Sequence, residues 1–180
     1  KWPCAPKGAA FLWVRADRRE DFHPLVISHG LTAPLSGTQT RFRAEFDWTG
    51  TDDPTAFLTW PVAIDNVGAM MLGGWDAIRR RNRGLALAAR DRLCEVLGIA
   101  PPADDALIGS LAAVPLPVER RPDLSASALY ERLVDVHHVQ VPVFDWGGQR
   151  IVRVAMHLHT DLEDVEALVL GLRAEGFASP

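Results

Sequence analysis

Lysine is nearly missing from this sequence. Of 19 basic residues only Lys1 and Lys7 carry a primary amine, the other seventeen being arginine, so chemistry that needs a side-chain amine has two candidates. Cysteine is as scarce: Cys4 and Cys94 make no disulfide framework. No run approaches the roughly 18 consecutive apolar residues of a membrane span, and the opening Lys1 to Gly8 lacks the apolar segment of a secretory leader. A soluble, cytoplasmic chain is expected. Acidic residues outnumber basic ones by 23 to 19, for a net charge of −4, so no general pull toward phosphate backbones or anionic lipid exists. Nucleic acid and membrane are not expected partners. There is no G-x-S-x-G elbow, P-loop or G-x-G-x-x-G fingerprint, and hydrolase, kinase and dinucleotide-binding readings have no local support.

What is present is an ordinary globular composition, 48% apolar and 23% charged over 180 residues, enough for one large domain or two small ones. The apolar run Ala9 to Val14 suits a buried strand, and the alternation of Phe42, Ala44, Phe46 and Trp48 with charged residues suits a half-buried strand over 41–48. Asp53-Pro54 is a good helix start, predicting a helix from Pro54 to about Met71 that Pro61 bends. After Gly73-Gly74 a second helical period runs to Gly98, and Pro101-Pro102 prevents its resumption. Beyond that come a strand (111–116), a helix (125–136), strands over 139–144 and 151–158 joined by the turn Asp145-Trp146-Gly147-Gly148, and a last helix opened by a capping box at Thr160-Asp161-Leu162-Glu163. The order of strand, helix, hairpin and helix is that of a small α+β domain. The expected boundary separates 1–75 from 76–180, with a connecting helix at about 75–97.

Arg153 is the most informative residue. On a strand Val152, Val154, Met156 and Leu158 form one apolar face while Arg153, Ala155, His157 and His159 share the other. That second face is either solvated or a working side, on which a planar, permanently charged fork beside two imidazoles grips a carboxylate. His157 and His159 could meet one metal ion, yet no third ligand lies at suitable spacing, and no metal is expected. Cys4 is a thiol beside a lysine, and burial and inertness are common fates of a free cysteine.

The stretch from Lys1 to Val14, with Lys1-Trp2-Pro3-Cys4-Ala5-Pro6-Lys7-Gly8 at its head, resembles the region of the Schiff-base lysine in class V aminotransferases, pyridoxal-phosphate enzymes of fold type I. The interval from Lys1 to the lysine of Pro6-Lys7-Gly8 is most similar to that of the isopenicillin N epimerase branch. Two further stretches agree in order. Phe46-Asp47-Trp48-Thr49-Gly50-Thr51-Asp52-Asp53-Pro54 resembles the segment whose Gly-Thr pair reaches the cofactor phosphate of the neighbouring subunit, and a hydroxyl near helix N–H groups suits an anion. Arg153 to Thr160 is similar to the strand that supplies the arginine for the substrate carboxylate, with Ala155 in place of the usual Ser and His159-Thr160 in place of Tyr-Asn.

The resemblance implies an α/β and α+β architecture: the end of the large domain of a fold type I enzyme followed by a small C-terminal α+β domain. It implies pyridoxal 5'-phosphate as cofactor, Lys1 as the catalytic lysine that holds it, Gly50 and Thr51 on its phosphate, and Arg153 on the substrate carboxylate. The expected activity is at the α-carbon of an amino acid or related substrate, isopenicillin N epimerase-like, with a class V aminotransferase or C–S lyase as alternatives. The expected partners are a second copy of the chain and the N-terminal half of the same enzyme. Persulfide chemistry is disfavoured, because Val139 to Val152 contains no cysteine. A rival of another class is a non-catalytic piece that completes such a dimer.

Overall fold

The computed structural model describes residues 1–48 and 50–178; Thr49, in the stretch quoted for the phosphate segment, lies outside the described residues. The chain divides into two compact units, Lys1–Asn66 and Val67–Pro180.

The first unit has no strand among its described residues. The run Ala9 to Val14, expected as a strand, is irregular: Val14 is buried, whereas Phe11 and Trp13 are 77% and 73% exposed. An apolar run becomes a strand only where a neighbour completes its hydrogen-bond ladder, and none of the described residues of this unit does so. The expected strand over 41–48 is instead helix α1, Arg41–Asp47. Thr40 caps it by accepting from the Arg43 N–H at 3.3 Å, Arg43 pairs with Asp47 four residues on at 3.1 Å, and the Phe42 and Phe46 rings meet at 4.6 Å. Spacing of four serves a helix as well as a strand, so the alternation misled. The burial of adjacent Ala44 and Glu45 fits a helical face and not one side of a strand. Helices α2, Thr55–Leu58, and α3, Trp60–Ala69, stand where one bent helix was expected. Pro61 occupies the first turn of α3, where its missing N–H costs nothing, so it starts a helix rather than bending one.

The second unit is a layer of helices on a small sheet. Helix α4, Gly74–Leu97, begins after Gly73 (φ 90°) and stops at Gly98 (φ 70°), whose N–H returns to the carbonyls of Glu95 and Cys94. Its buried stripe of Ile78, Asn82, Ala86, Ala89, Leu93 and Leu97 recurs every three or four residues, the amphipathic period read from the sequence. Strands β1 (Leu111–Leu116), β2 (Val143–Trp146) and β3 (Gln149–Ala155) form an antiparallel sheet of order β1-β3-β2. The β2–β3 hairpin closes on Gly147 (φ 58°) and Gly148 (φ 77°), the pair of positive φ values that a tight two-residue turn needs and glycine supplies most cheaply. Helices α5, Ala126–Asp135, capped by Ser125, and α6, Leu162–Ala174, complete the unit. The capping box of α6 is set one residue later than expected: Asp161 caps it and Asp164 answers. Ala112, Val114, Val152 and Val154 turn to the core with Leu93, Leu97, Leu133, Val169 and Phe177. Among the described residues no helix is long and apolar enough to cross a membrane.

Arginine is the residue that ties these loops down. Arg81 donates to the carbonyls of His157 (2.9 Å) and Thr160 (3.0 Å), Arg83 to those of Asp105 (2.8 Å) and Ile108 (3.1 Å), and Arg120 to that of Phe177 (2.6 Å). In the first unit Arg41 holds the carbonyls of Gly30 (2.5 Å) and Ala33 (2.9 Å). Two diverging N–H donors on one plane can bridge two carbonyls, which a lysine ammonium does less rigidly.

Candidate functional site

Lys1 opens a turn in which its carbonyl accepts from the Cys4 N–H at 3.1 Å. Its side chain is exposed, and no ion pair or hydrogen bond among the described residues engages its amine. Gly50 has φ 131° with nothing within 4 Å of where a Cβ would stand, so its backbone is open to close approach. Thr51 follows, exposed. Behind it the Asp52 carboxylate accepts from the Asp53 N–H (2.8 Å) and the Asp53 carboxylate from the Thr55 N–H (2.9 Å). That last bond holds the Asp53 carboxyl below the usual carboxylate range. The expectation that helix N–H groups assist an anion at Thr51 is therefore corrected in its detail: α2 is a four-residue turn and Asp53 already occupies its leading N–H. An anion here would rest on the Thr51 hydroxyl and the open backbone at Gly50. Taken one by one, a primary amine, an open glycine backbone and a hydroxyl are groups of the kind that suit an aldehyde-bearing phosphate ester.

Gly50 also lines a cavity of about 300 Å³ with Ile27, Ser28, His29, Leu31, Thr32 and Trp48. Lys1 and Thr51 are not among its lining residues. Sequence reasoning passed over Ser28-His29-Gly30, where the Ser28 hydroxyl accepts from the Gly30 N–H at 3.1 Å. The signal was a small hydroxyl two residues ahead of a glycine after an apolar patch.

Arg153, in the second unit, lies on β3 with Ala113 of β1 directly across the ladder, and its N–H donates to the Pro142 carbonyl at 3.1 Å. Burial alternates as expected from the sequence: Val152 and Val154 are 0% and 5% exposed, whereas Arg153 is half-buried and Ala155 exposed. The Arg153 Nε is buried and has no hydrogen-bond partner among the described residues. The histidines do not share this face. The strand ends at Ala155, and the Thr160 hydroxyl takes the His157 N–H at 2.7 Å, so the chain turns instead of extending. His157 is buried and His159 exposed, with their rings stacked at 5.2 Å. Among the described residues no group of three or more His, Cys, Asp or Glu is gathered to hold a metal ion. Cys94 is buried, and desolvation pushes its thiol up, leaving it a weak nucleophile. Cys4 is exposed.

A second cavity, of about 360 Å³, lies between the segment after α5, the end of β3 and α6. His138, Gln140, His159, Thr160 and Asp164 supply its polar side chains and Val141, Val154, Met156 and Leu168 much of its apolar lining. The sequence pairs His159 with His157 and gives no sign that His138 lines the same cavity.

In class, the second unit is a small α+β domain, an antiparallel three-stranded sheet covered by helices, with one arginine on its open face. No protein-family model matches the chain. It is similar to isopenicillin N epimerase of Amycolatopsis lactamdurans, 30% identical over 183 residues, an alignment covering 96% of this chain and 44% of that protein. The chain thus spans less than half the length of the curated relative it matches.

Proposed function

We propose that this chain is part of a pyridoxal-phosphate-dependent enzyme acting at the α-carbon of an amino acid or amino-acid-derived substrate, with epimerisation as the favoured outcome. The observation that carries this reading is the similarity to an isopenicillin N epimerase along 96% of the chain. Arg153, half-buried with its Nε unpartnered, is the feature of the site that agrees best with it.

In this reading the cofactor, when bound, supplies the electron sink that makes an α-carbon acidic. Lys1 holds the cofactor through its amine and afterwards carries the α-proton. Gly50 and Thr51 hold its phosphate, by open backbone and hydroxyl. Arg153 orients the substrate by gripping its carboxylate with two parallel N–H donors. The acids at Asp52 and Asp53 oppose a phosphate, so further donors come from a second copy of the chain and from the N-terminal half of the protein.

The first unit supports that completion. Val14 and Ala44 are its buried apolar side chains, while Leu25, Val26 and Ile27 are 105%, 75% and 64% exposed. Apolar surface of this extent is characteristic of a face covered by another surface. The same observation favours a second reading, in which this chain on its own is non-catalytic and completes the cofactor site of a dimer.

The test is to incubate the full-length protein and cofactor with one enantiomer of an amino acid in deuterated water. Inversion with deuterium at the α-carbon supports an epimerase. A keto-acid product assigns an aminotransferase instead, and release of a β-substituent assigns a lyase. If the 1–180 chain alone binds no cofactor but does so once its N-terminal half is added, the completing role is supported.

A further inference from the structure

The sheet contains its own control for what an acid opposite an arginine does. Arg150 and Asp145 are direct partners across β3 and β2, and they close on one another, Nε to Oδ1 at 3.0 Å. Two further arginines of the second unit are neutralised in the same way, Arg90 by Asp105 at 2.6 Å and Arg92 by Glu166 at 2.6 Å. Arg153 is on the same strand as Arg150, three residues on and therefore on the opposite face. Its cross-ladder partner is Ala113, an exposed residue, and its same-face neighbours along β3 are Ile151 and Ala155. No acid stands on that face of the three strands: β1 brings Leu111, Ala113 and Pro115, and β2 brings Phe144 and Trp146.

We propose that Ala113 is a specificity-determining residue: by placing a methyl group where β2 places Asp145 against Arg150, it keeps the Arg153 guanidinium unneutralised for the carboxylate of a ligand. The inference rests on the reading of Arg153 as a carboxylate anchor and adds the device that preserves it. Cross-strand partners have Cβ atoms about 5 Å apart, so an acid at position 113 would reach the fork before any ligand. Because the rest of the face is uncharged, the sheet offers the ligand one charged contact, for a single carboxylate. A second negative charge on the ligand would find no partner on the sheet.

The experiment follows the Arg153 Nε–H resonance in the full-length protein, assigned by its loss in Arg153→Gln, during titration with acetate. In the unmodified protein it shifts saturably. Ala113→Asn retains the acetate affinity within about twofold. Ala113→Asp weakens it about fivefold, the scale of a cross-strand ion pair, and moves the resonance before any acetate is added, toward that of Arg150. If Ala113→Asp titrates like the unmodified protein while acetate still shifts Arg153, the inference about Ala113 is overturned and the anchor reading stands. If acetate leaves the Arg153 resonance of the unmodified protein unmoved, the anchor reading is overturned and the inference goes with it.

Discussion

The Glu175 carboxylate, 2% exposed, accepts from Arg132 Nε at 2.6 Å and lies 2.8 Å from His137 Nε2. One acid just past α6 thus ties together the last turn of α5 and the loop that follows it. Arg132 first, and His137 after it, hold the Glu175 carboxyl below its ordinary range against the opposing effect of burial. A carboxyl lowered by folding contributes stability above its unfolded pKa and loses it as pH falls through the folded value. Replacing Glu175 by Gln is expected to destabilise the second unit by about 1–3 kcal/mol at neutral pH. Urea unfolding at a series of pH values checks it: the gap between the two proteins narrows as pH drops below the ordinary carboxylate range. A gap that stays constant would show that the ionised form of Glu175 is not what matters.

Arg81 is expected to resist replacement by lysine. Its two terminal nitrogens serve the carbonyls of His157 and Thr160, at the two ends of the turn that stops β3. Lysine keeps the charge and loses the bridge. Arg81→Lys costs about 1–2 kcal/mol, and amide hydrogen exchange quickens at 157–160 more than elsewhere in the second unit. Equal protection in both proteins would refute the bridging role.

These two clusters were invisible in the sequence for a physical reason. The period of α4, the helix expected over 125–136 and the Gly147-Gly148 hairpin are set by neighbours within a few residues, and all were legible. Glu175 and Arg132 are 43 residues apart, and nothing local marks them as partners. The first unit was the least legible part. Its residues 41–47 satisfy helix and strand periods alike at Phe42 and Phe46, and the run at 9–14 has hydrophobicity without a partner strand. At the site, the alternation that singled out Arg153 survives in the structure. The extension of that alternation to His157 and His159 fails, because it assumed the strand outlasts Ala155.

Gly30 is expected to accept no side chain. A Cβ placed there would stand 1.9 Å from the Ala44 carbonyl oxygen and 2.7 Å from the Glu45 Cα, both backbone of α1, which cannot move aside as a flexible side chain would. Gly30→Ala therefore costs at least the roughly 1–3 kcal/mol of an overpacked site. The damage falls on the first unit, where His23 and the buried Glu45 meet at 2.7 Å. Hydrogen exchange resolved by segment checks it, with faster exchange over 23–47. Uniform loss of protection across 67–178 as well would mean that the two units do not unfold separately.

The proposed roles of Thr51 and Arg153 divide cofactor binding from substrate binding, and the division can be measured. Thr51 is assigned to the cofactor phosphate, so Thr51→Ala removes a hydrogen bond to a charged group, about 1.5–3 kcal/mol. Cofactor affinity falls roughly tenfold to a hundredfold, with the substrate KM little changed once cofactor saturates. Arg153 is assigned to the substrate, so Arg153→Gln leaves cofactor affinity near that of the unmodified protein and raises KM for the amino acid by a similar factor. Asp53→Asn adds a third arm, since it removes a negative charge two residues from Thr51 while its amide oxygen can still accept from the Thr55 N–H; cofactor affinity rises. Equilibrium titration of the cofactor, followed by steady-state kinetics, separates the arms. If Thr51→Ala and Arg153→Gln shift the same quantity, the two residues do not serve different ligands, and their assignment here is wrong.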